Sequence, residues 1–150
     1  MSDKWDQRMM ELARLVATWS KDPSTKTGAV VATTETHQVL GLGYNGFPRG
    51  VQDREERYAD RLVKYRMIVH CEANALMAAS AHGYLMVAGS SLYTTKHPCS
   101  ECTKLLIQAA VGEVICPRRD PTNESDTRWL EDAQWSMQML SEAGIGVREL

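Results

Sequence analysis

Residues 90–116, SSLYTTKHPCSECTKLLIQAAVGEVIC, decide the fold. They predict a strand over 90–95, a helix over 99–111 and a second strand over 113–116. Pro98 suits the helix entry, where its missing N–H costs nothing. Strand, helix and strand in succession pair in parallel through a right-handed crossover. Working outward, 127–143 reads as another helix and 145–150 as a last strand, which continues the alternation. On the other side, HCEANALMAASA (70–81) is rich in helix formers and stops at Gly83. Segments 27–34 and 38–44 read as an antiparallel hairpin about a polar turn at 35–37. Residues 3–20 predict an amphipathic helix with Trp5, Met9, Leu12, Val16 and Trp19 on one face. Ser2 or Asp3 would cap it, and Asp22-Pro23-Ser24 would stop it. The charged segment 51–69 reads as a solvated surface helix. The order implies an α/β fold: a three-layer α/β/α sandwich on a five-stranded mixed sheet, with 1–150 as a single domain.

A chain of 150 residues is one domain's worth of polypeptide. At 43% hydrophobic residues it can bury a core, which excludes disorder. No apolar run approaches the roughly 18 residues of a membrane span, and MSDKWDQRMMEL lacks the apolar stretch of a signal peptide. The expectation is therefore a cytoplasmic protein, with no membrane partner, in a reducing compartment that disfavours disulfides. Lys+Arg at 17 against Asp+Glu at 19 give a net charge of −2, which removes the basic footprint of a nucleic-acid-binding protein. A ligand carrying one or two phosphates remains compatible with that charge.

Four cysteines then need a role: Cys71, Cys99, Cys102 and Cys116. Cys99 and Cys102, at i and i+3, share one face of a predicted helix, so both sulfurs can reach one ion. His70 opens the preceding helix. With these three N/S ligands a tetrahedral Zn²⁺ keeps one open position, as catalysis requires. Both helices present their N-termini, whose partial positive charge favours thiolates and an anionic nucleophile. Glu72 is the natural acid/base, because side chains at a helix entry can converge beyond its end. Cys71 reads as helix lining and Cys116, ending an apolar strand, as a small core hydrophobe. His37 and His82 read as solvated, and His97 as structural. Trp129, Trp135, Met137 and Met139 read as core and interface packing.

His70-Cys71-Glu72 with Pro98-Cys99-Ser100-Glu101-Cys102 forms the H-x-E…P-C-x-x-C signature of zinc nucleobase deaminases. Gly43-Tyr44-Asn45-Gly46-Phe47-Pro48-Arg49-Gly50 is similar to the G-Y-N-G-x-P-x-G loop of the deoxycytidylate (dCMP) deaminases. The stretch Ser20-Lys21-Asp22-Pro23-Ser24-Thr25-Lys26-Thr27-Gly28-Ala29-Val30-Val31 resembles that family's first active-site strand and lead-in. Over essentially its whole length the chain resembles dCMP deaminases of the cytidine deaminase superfamily. The resemblance implies a cytidine deaminase-like fold and hydrolysis of dCMP to dUMP and ammonia, which feeds thymidylate synthesis, with CMP as an alternative substrate. Zn²⁺ on His70, Cys99 and Cys102 would activate a water for attack on C4, with Glu72 as proton shuttle.

The resemblance further implies that the Cys71 N–H holds the base O2, that Ala29 and Val30 flank the ring, and that Asn45 meets the sugar 3′-hydroxyl. Ser24 and Lys26 are candidates for the 5′-phosphate, with Arg118 and Arg119 as further ones. Tyr44, Asn45, Gly46, Phe47 and Pro48 form the loop near which dCTP and dTTP act in such enzymes, many of which are hexamers. Two departures stand out: Cys71 replaces the usual Ala, and Cys116-Pro117-Arg118-Arg119-Asp120 lacks the aromatic that many relatives carry after the fourth strand. Competing readings are a tRNA or DNA deaminase of the same fold, which the net charge disfavours, and a non-catalytic zinc-stabilised assembly module, which needs a closed four-ligand site.

Overall fold

The computed structural model describes residues 4–81 and 87–150. The expected caps Ser2 and Asp3, the stop at Gly83 and the solvated His82 lie outside the described residues. Five strands form one mixed sheet in the order β2-β1-β3-β4-β5. These are β1 (Gly28–Ala32), β2 (Val39–Tyr44), β3 (Ser91–Thr94), β4 (Glu113–Cys116) and β5 (Gly146–Glu149). β1 runs antiparallel to β2 and β3, while β3, β4 and β5 are mutually parallel. The helices are α1 (Lys4–Ala17), α2 (Glu55–Ala59), α3 (Arg61–Met67), α4 (Cys71–Ala81), α5 (Ser100–Gln108), α6 (Glu124–Arg128) and α7 (Leu130–Glu142).

The apolar run of β1 is buried at every position, as a central strand covered on both faces must be. Strand alternation splits the core in two. Ala29, Val31, Leu92 and Val114 pack with Leu76, Leu106 and Leu140 of α4, α5 and α7. Val30, Ala32, Tyr93 and Ile115 pack against Met9, Met10 and Ala13 of α1 on the other face. The three-layer α/β/α arrangement is thus the observed one. Among the described residues no helix is long and apolar enough to cross a membrane.

Three elements depart from their sequence reading. The buried stripe of α1 is Met9, Met10, Ala13, Val16 and Ala17, together with Asp6, while Trp5 and Trp19 stand outside it, 38% and 50% exposed. The cause is the closeness of helix and sheet: a Cβ on Gly28 would lie 2.1 Å from the Ala13 carbonyl oxygen. At that closest approach, Ala13 and Ala17, only small side chains fit, and Trp19 lies beyond the end of α1. Trp5 instead stacks on His37 at 4.9 Å, so that ring is not simply solvated.

The expected single helix over 51–69 is two, broken at Asp60, whose Oδ1 accepts from Leu62 N at 2.9 Å and Val63 N at 3.2 Å to cap α3. Nor is it wholly solvated, since Tyr58 and Lys64 are buried. The helix expected over 127–143 breaks at Trp129 into α6 and α7. Trp135 and Met137 are exposed rather than core.

Candidate active site

The close seating of α4 on β2 positions the first cluster. A Cβ on Gly43 would fall 2.2 Å from the Cys71 carbonyl oxygen, so glycine there lets the helix entry lie directly on the strand. His70 immediately precedes that entry. At the end of β3 the chain turns through His97 and Pro98 into α5, which Cys99 caps: its Sγ accepts from Cys102 N at 3.4 Å. Cys99 Sγ lies 3.3 Å and Cys102 Sγ 3.5 Å from His70 Nδ1. Among the described residues this is the one His/Cys/Asp/Glu group with metal-holding geometry, its three ligand atoms lying within 4.8 Å of one another. Cys71 and Cys116 are both excluded from it and buried in the core, as expected.

α7 pins this turn from behind. Asp132 accepts from Ser100 N at 2.9 Å and Ser100 Oγ at 2.5 Å, and Ser136 Oγ donates to the Pro98 carbonyl at 2.8 Å. The electrostatics favour a cation. The Cys99 thiol is drawn down to about 4, by the Cys102 side-chain hydrogen bond first and then by His70. Cys102, which keeps the proton of that pair and is buried, is raised. The hydrogen bond to Cys99 raises His70. One imidazole and two sulfurs suit zinc, and three protein ligands leave a tetrahedral ion one open position.

Glu72, 4% exposed, follows Cys71 in the first turn of α4, where Thr94 Oγ1 of β3 donates to its Oε1 at 3.0 Å. The Cys71 thiol points into the core, 3.7 Å from the same hydroxyl, and burial pushes it well above the ordinary thiol range. Glu72, His70 and Cys99 line one cavity of about 170 Å³. Asn45 closes another side of it, 4% exposed. Its Oδ1 accepts from Thr27 N and its Nδ2 donates to the Thr25 carbonyl, both at 2.8 Å. Lys64, Lys96 and Arg119 contribute positive charge to the wall, and Tyr65 and Trp129 contribute rings.

A family model described as the cytidine and deoxycytidylate deaminase zinc-binding region matches residues 3–117. The chain belongs to this family. It is 37% identical over 147 residues to an uncharacterized deaminase in the luxG 3′ region of Aliivibrio fischeri, covering 98% of this chain and 94% of that one. To human deoxycytidylate deaminase it is 34% identical over 151 residues, covering 97% of this chain and 79% of that protein. The dCMP deaminase of cyanophage S-TIM5, solved in complex with dCMP and dUMP, superposes with a TM-score of 0.76 over 100% of this chain and 99% of that one. At 24% identity that likeness is one of fold. The deaminase family's zinc-binding region takes in His70, Glu72, Cys99 and Cys102.

Several residues that the family resemblance nominated do not line the cavity. Lys26 is exposed, and its ammonium donates to the Ser20 carbonyl. Ser24 is exposed too, its hydroxyl accepting from Lys64 Nζ at 2.8 Å. Val30 faces α1, on the opposite side of the sheet from Ala29, because neighbours on a strand point oppositely; its side chain cannot flank a ring in this cavity. Ala29 faces α4, and Thr27 rather than either of them reaches the wall. Arg118 is exposed and outside the wall, whereas Arg119 is in it.

Apart from Asn45, the G-Y-N-G loop packs outside the cavity wall, and Phe47 ties it to α2. Phe47 stacks on Tyr58 at 4.3 Å, Gly46 pairs with Val69, and Tyr44 meets Trp19 edge-on at 6.1 Å, with Pro48 exposed beyond them. Lys64, Lys96 and Tyr65 escaped the sequence reading, and Trp129, expected in core or interface packing, is exposed and lines the cavity. Trp129 lies beyond the matched region, and no spacing marks the others. His97 is tied to Glu149 at 2.9 Å and packs on Cys116 while lining the cavity.

Proposed function

We propose that residues 1–150 form a single zinc-dependent deaminase domain that hydrolyses dCMP to dUMP and ammonia, and so supplies dUMP for thymidylate synthesis. One observation carries the reading: His70, Cys99 and Glu72 share a cavity with Lys96 and Arg119, for which no carboxylate lies within ion-pair distance among the described residues. Lys96 donates only to a hydroxyl, Ser125 Oγ, at 2.9 Å. Lys64, by contrast, is neutralised by Asp22 at 3.1 Å. Two cations free of ion pairs, in a wall that also carries Asp126 and Asp132, match one phosphomonoester. The names of the curated relatives, human deoxycytidylate deaminase among them, support the same substrate.

His70, Cys99 and Cys102 would hold the zinc, which would supply Lewis acidity toward a water near neutral pH. Glu72 takes one proton from the attacking water and passes it to ring N3 as oxygen bonds to C4. It then takes the remaining proton from that oxygen and delivers it to the amine, which leaves as ammonia as the C4–N bond breaks and the C4 carbonyl forms. Thr94 fixes the Glu72 carboxylate for this shuttle. Cys71 opens α4, where backbone N–H groups lack an intrahelical partner, and its N–H is available to the base O2. Asn45, clamped by Thr25 and Thr27, offers a fixed amide to the sugar 3′-hydroxyl. Arg119 and Lys96 take the 5′-phosphate in place of Ser24 and Lys26.

The test is turnover of dCMP, CMP, dCTP and deoxycytidine by zinc-loaded protein, followed by the cytosine-to-uracil absorbance change. The expected order puts dCMP first and free deoxycytidine far behind. Faster turnover of the nucleoside than of the monophosphate sinks the reading. Repeating the panel with dCTP and dTTP tests whether these nucleotides act as effectors.

A further inference from the structure

Tyr65 and Trp129 come from elements far apart in the chain, α3 and the α6–α7 junction, yet their rings touch edge to face. The centroids are 5.8 Å apart and the planes 69° from parallel. Both rings line the cavity that holds His70, Glu72 and Cys99, and both are 43% exposed. A ring pair with one side on the cavity and the other in solvent is a barrier between the two.

We propose that this pair is a gate that parts to admit substrate, closes over it, and restricts the site to free nucleotides; the proposal rests on the deaminase reading above. The two leaves are unequal. Tyr65 is the post: the Lys64 ammonium lies 6.0 Å over its ring and is itself tied to buried Asp22, and Arg61 lies over the same ring at 5.8 Å. Trp129 is the moving leaf. It sits between two helices at φ −98°, ψ 12°: α6 before it buries no residue, while α7, which it caps, is anchored by Ala133, Ser136 and Leu140, so α6 and the indole are the parts free to swing. An element without buried contacts opens at low free energy. The ring–ring contact favours the closed form by a factor on the order of two to ten, so the gate opens readily and gains its hold once substrate fills the cavity.

The same geometry accounts for selectivity. A nucleotide inside a strand carries a phosphodiester on both sides and needs two exits from the site. Lys96 and Arg119 lie at the ends of β3 and β4, where one phosphate can rest. Rings that meet across the mouth deny the second exit.

Zinc-loaded wild type and the variants Trp129→Ala, Trp129→Phe, Tyr65→Ala and Tyr65→Phe are assayed on dCMP and on a single-stranded trinucleotide with a central deoxycytidine. Each alanine variant is expected to raise KM for dCMP by roughly two- to tenfold, with kcat nearly unchanged. The phenylalanine variants, which keep a ring, should stay close to wild type. The trinucleotide should be inert with wild type and turned over by Trp129→Ala. Unchanged KM in both alanine variants overturns the gate, and an alanine variant as inert as wild type towards the trinucleotide overturns its selectivity. Melting temperatures and zinc content show that each variant is folded. Wild-type rates on dCMP against deoxycytidine judge the substrate separately. The variant-to-wild-type ratio judges the gate on whichever cytosine nucleotide turns over fastest.

Discussion

Replacing Lys64 with methionine removes one member of an ion pair that joins the α2–α3 segment to the lead-in of β1. The side chains are 10% exposed for Lys64 and 1% for Asp22, and the charges lie 3.1 Å apart. Breaking such a pair costs about 3–5 kcal/mol, because the remaining charge stays buried. Here the carboxylate keeps three other donors: Ser24 N at 2.9 Å, Ser24 Oγ at 3.0 Å and Thr25 N at 3.2 Å. That places Lys64→Met at the lower end, about 3 kcal/mol. For a domain of this size each kcal/mol moves Tm by about 2–4 °C, so the expected fall is about 6–12 °C.

Asp22→Ala should cost more, about 5 kcal/mol, since it strands the ammonium and strips the acceptor from two backbone N–H groups. The double variant Lys64→Met/Asp22→Ala buries no charge and should recover part of the loss. Thermal unfolding followed by circular dichroism at neutral pH reads all three. A Lys64→Met shift under about 2 °C, or a double variant that falls by the sum of the singles, refutes the reasoning. The pH dependence has a definite sign. Burial pushes the Asp22 carboxyl up, but hydrogen bonds from Ser24, Lys64 and Thr25 together outweigh it and hold it below the ordinary 3.8. The unfolded chain therefore takes up that proton first. The contribution is present above about 3.8 and is lost as the pH falls below it, so Asp22→Asn should flatten the acid limb of the Tm profile.

Glu72→Gln should retain zinc by elemental analysis and lose about 10²–10⁴ in kcat, the range of a positioned acid/base. Near-normal turnover would remove Glu72 from the proton path. Lys96→Ala and Arg119→Ala each delete a charge-assisted contact, worth about 1.5–3 kcal/mol, and should raise KM for dCMP roughly 10- to 150-fold while leaving deoxycytidine kinetics alone. Equal effects on nucleotide and nucleoside would argue against a phosphate contact. In Gly43→Ala the new Cβ meets the Cys71 carbonyl oxygen at 2.2 Å and Ala75 N at 2.3 Å, so α4 must shift and carry His70 with it. Both Tm and zinc affinity should fall, whereas Gly46→Ala, with nothing within 4 Å, serves as the neutral control.

The metal group was legible because its geometry is local. Cys99 and Cys102 are one helical turn apart, so their spacing alone sets both sulfurs on one face, and Pro98 marks where the turn begins. His70 and Glu72 flank a single helix entry in the same way. The strands were legible because β1, β3 and β4 are short apolar runs between turn residues. Breaks within helical runs were not, because Asp60 and Trp129 interrupt helices by backbone geometry that helical periodicity does not register.

What surrounds the metal belongs to the tertiary structure. A lysine has no periodic signature, so nothing in the chain separates Lys26, which turns back to Ser20, from Lys96, which stays beside the cavity. Val30 and Ala29 are equally apolar, and only the docking of α1 decides which of them faces away from the site. Tyr65 and Trp129 meet because α3 and the α6–α7 junction converge on one rim. The sequence alone determined which residues could hold a metal, since ligand spacing along a helix is a local property. The packing of helices on the sheet decided which cations and which rings line the cavity, because those contacts join residues that no local spacing relates.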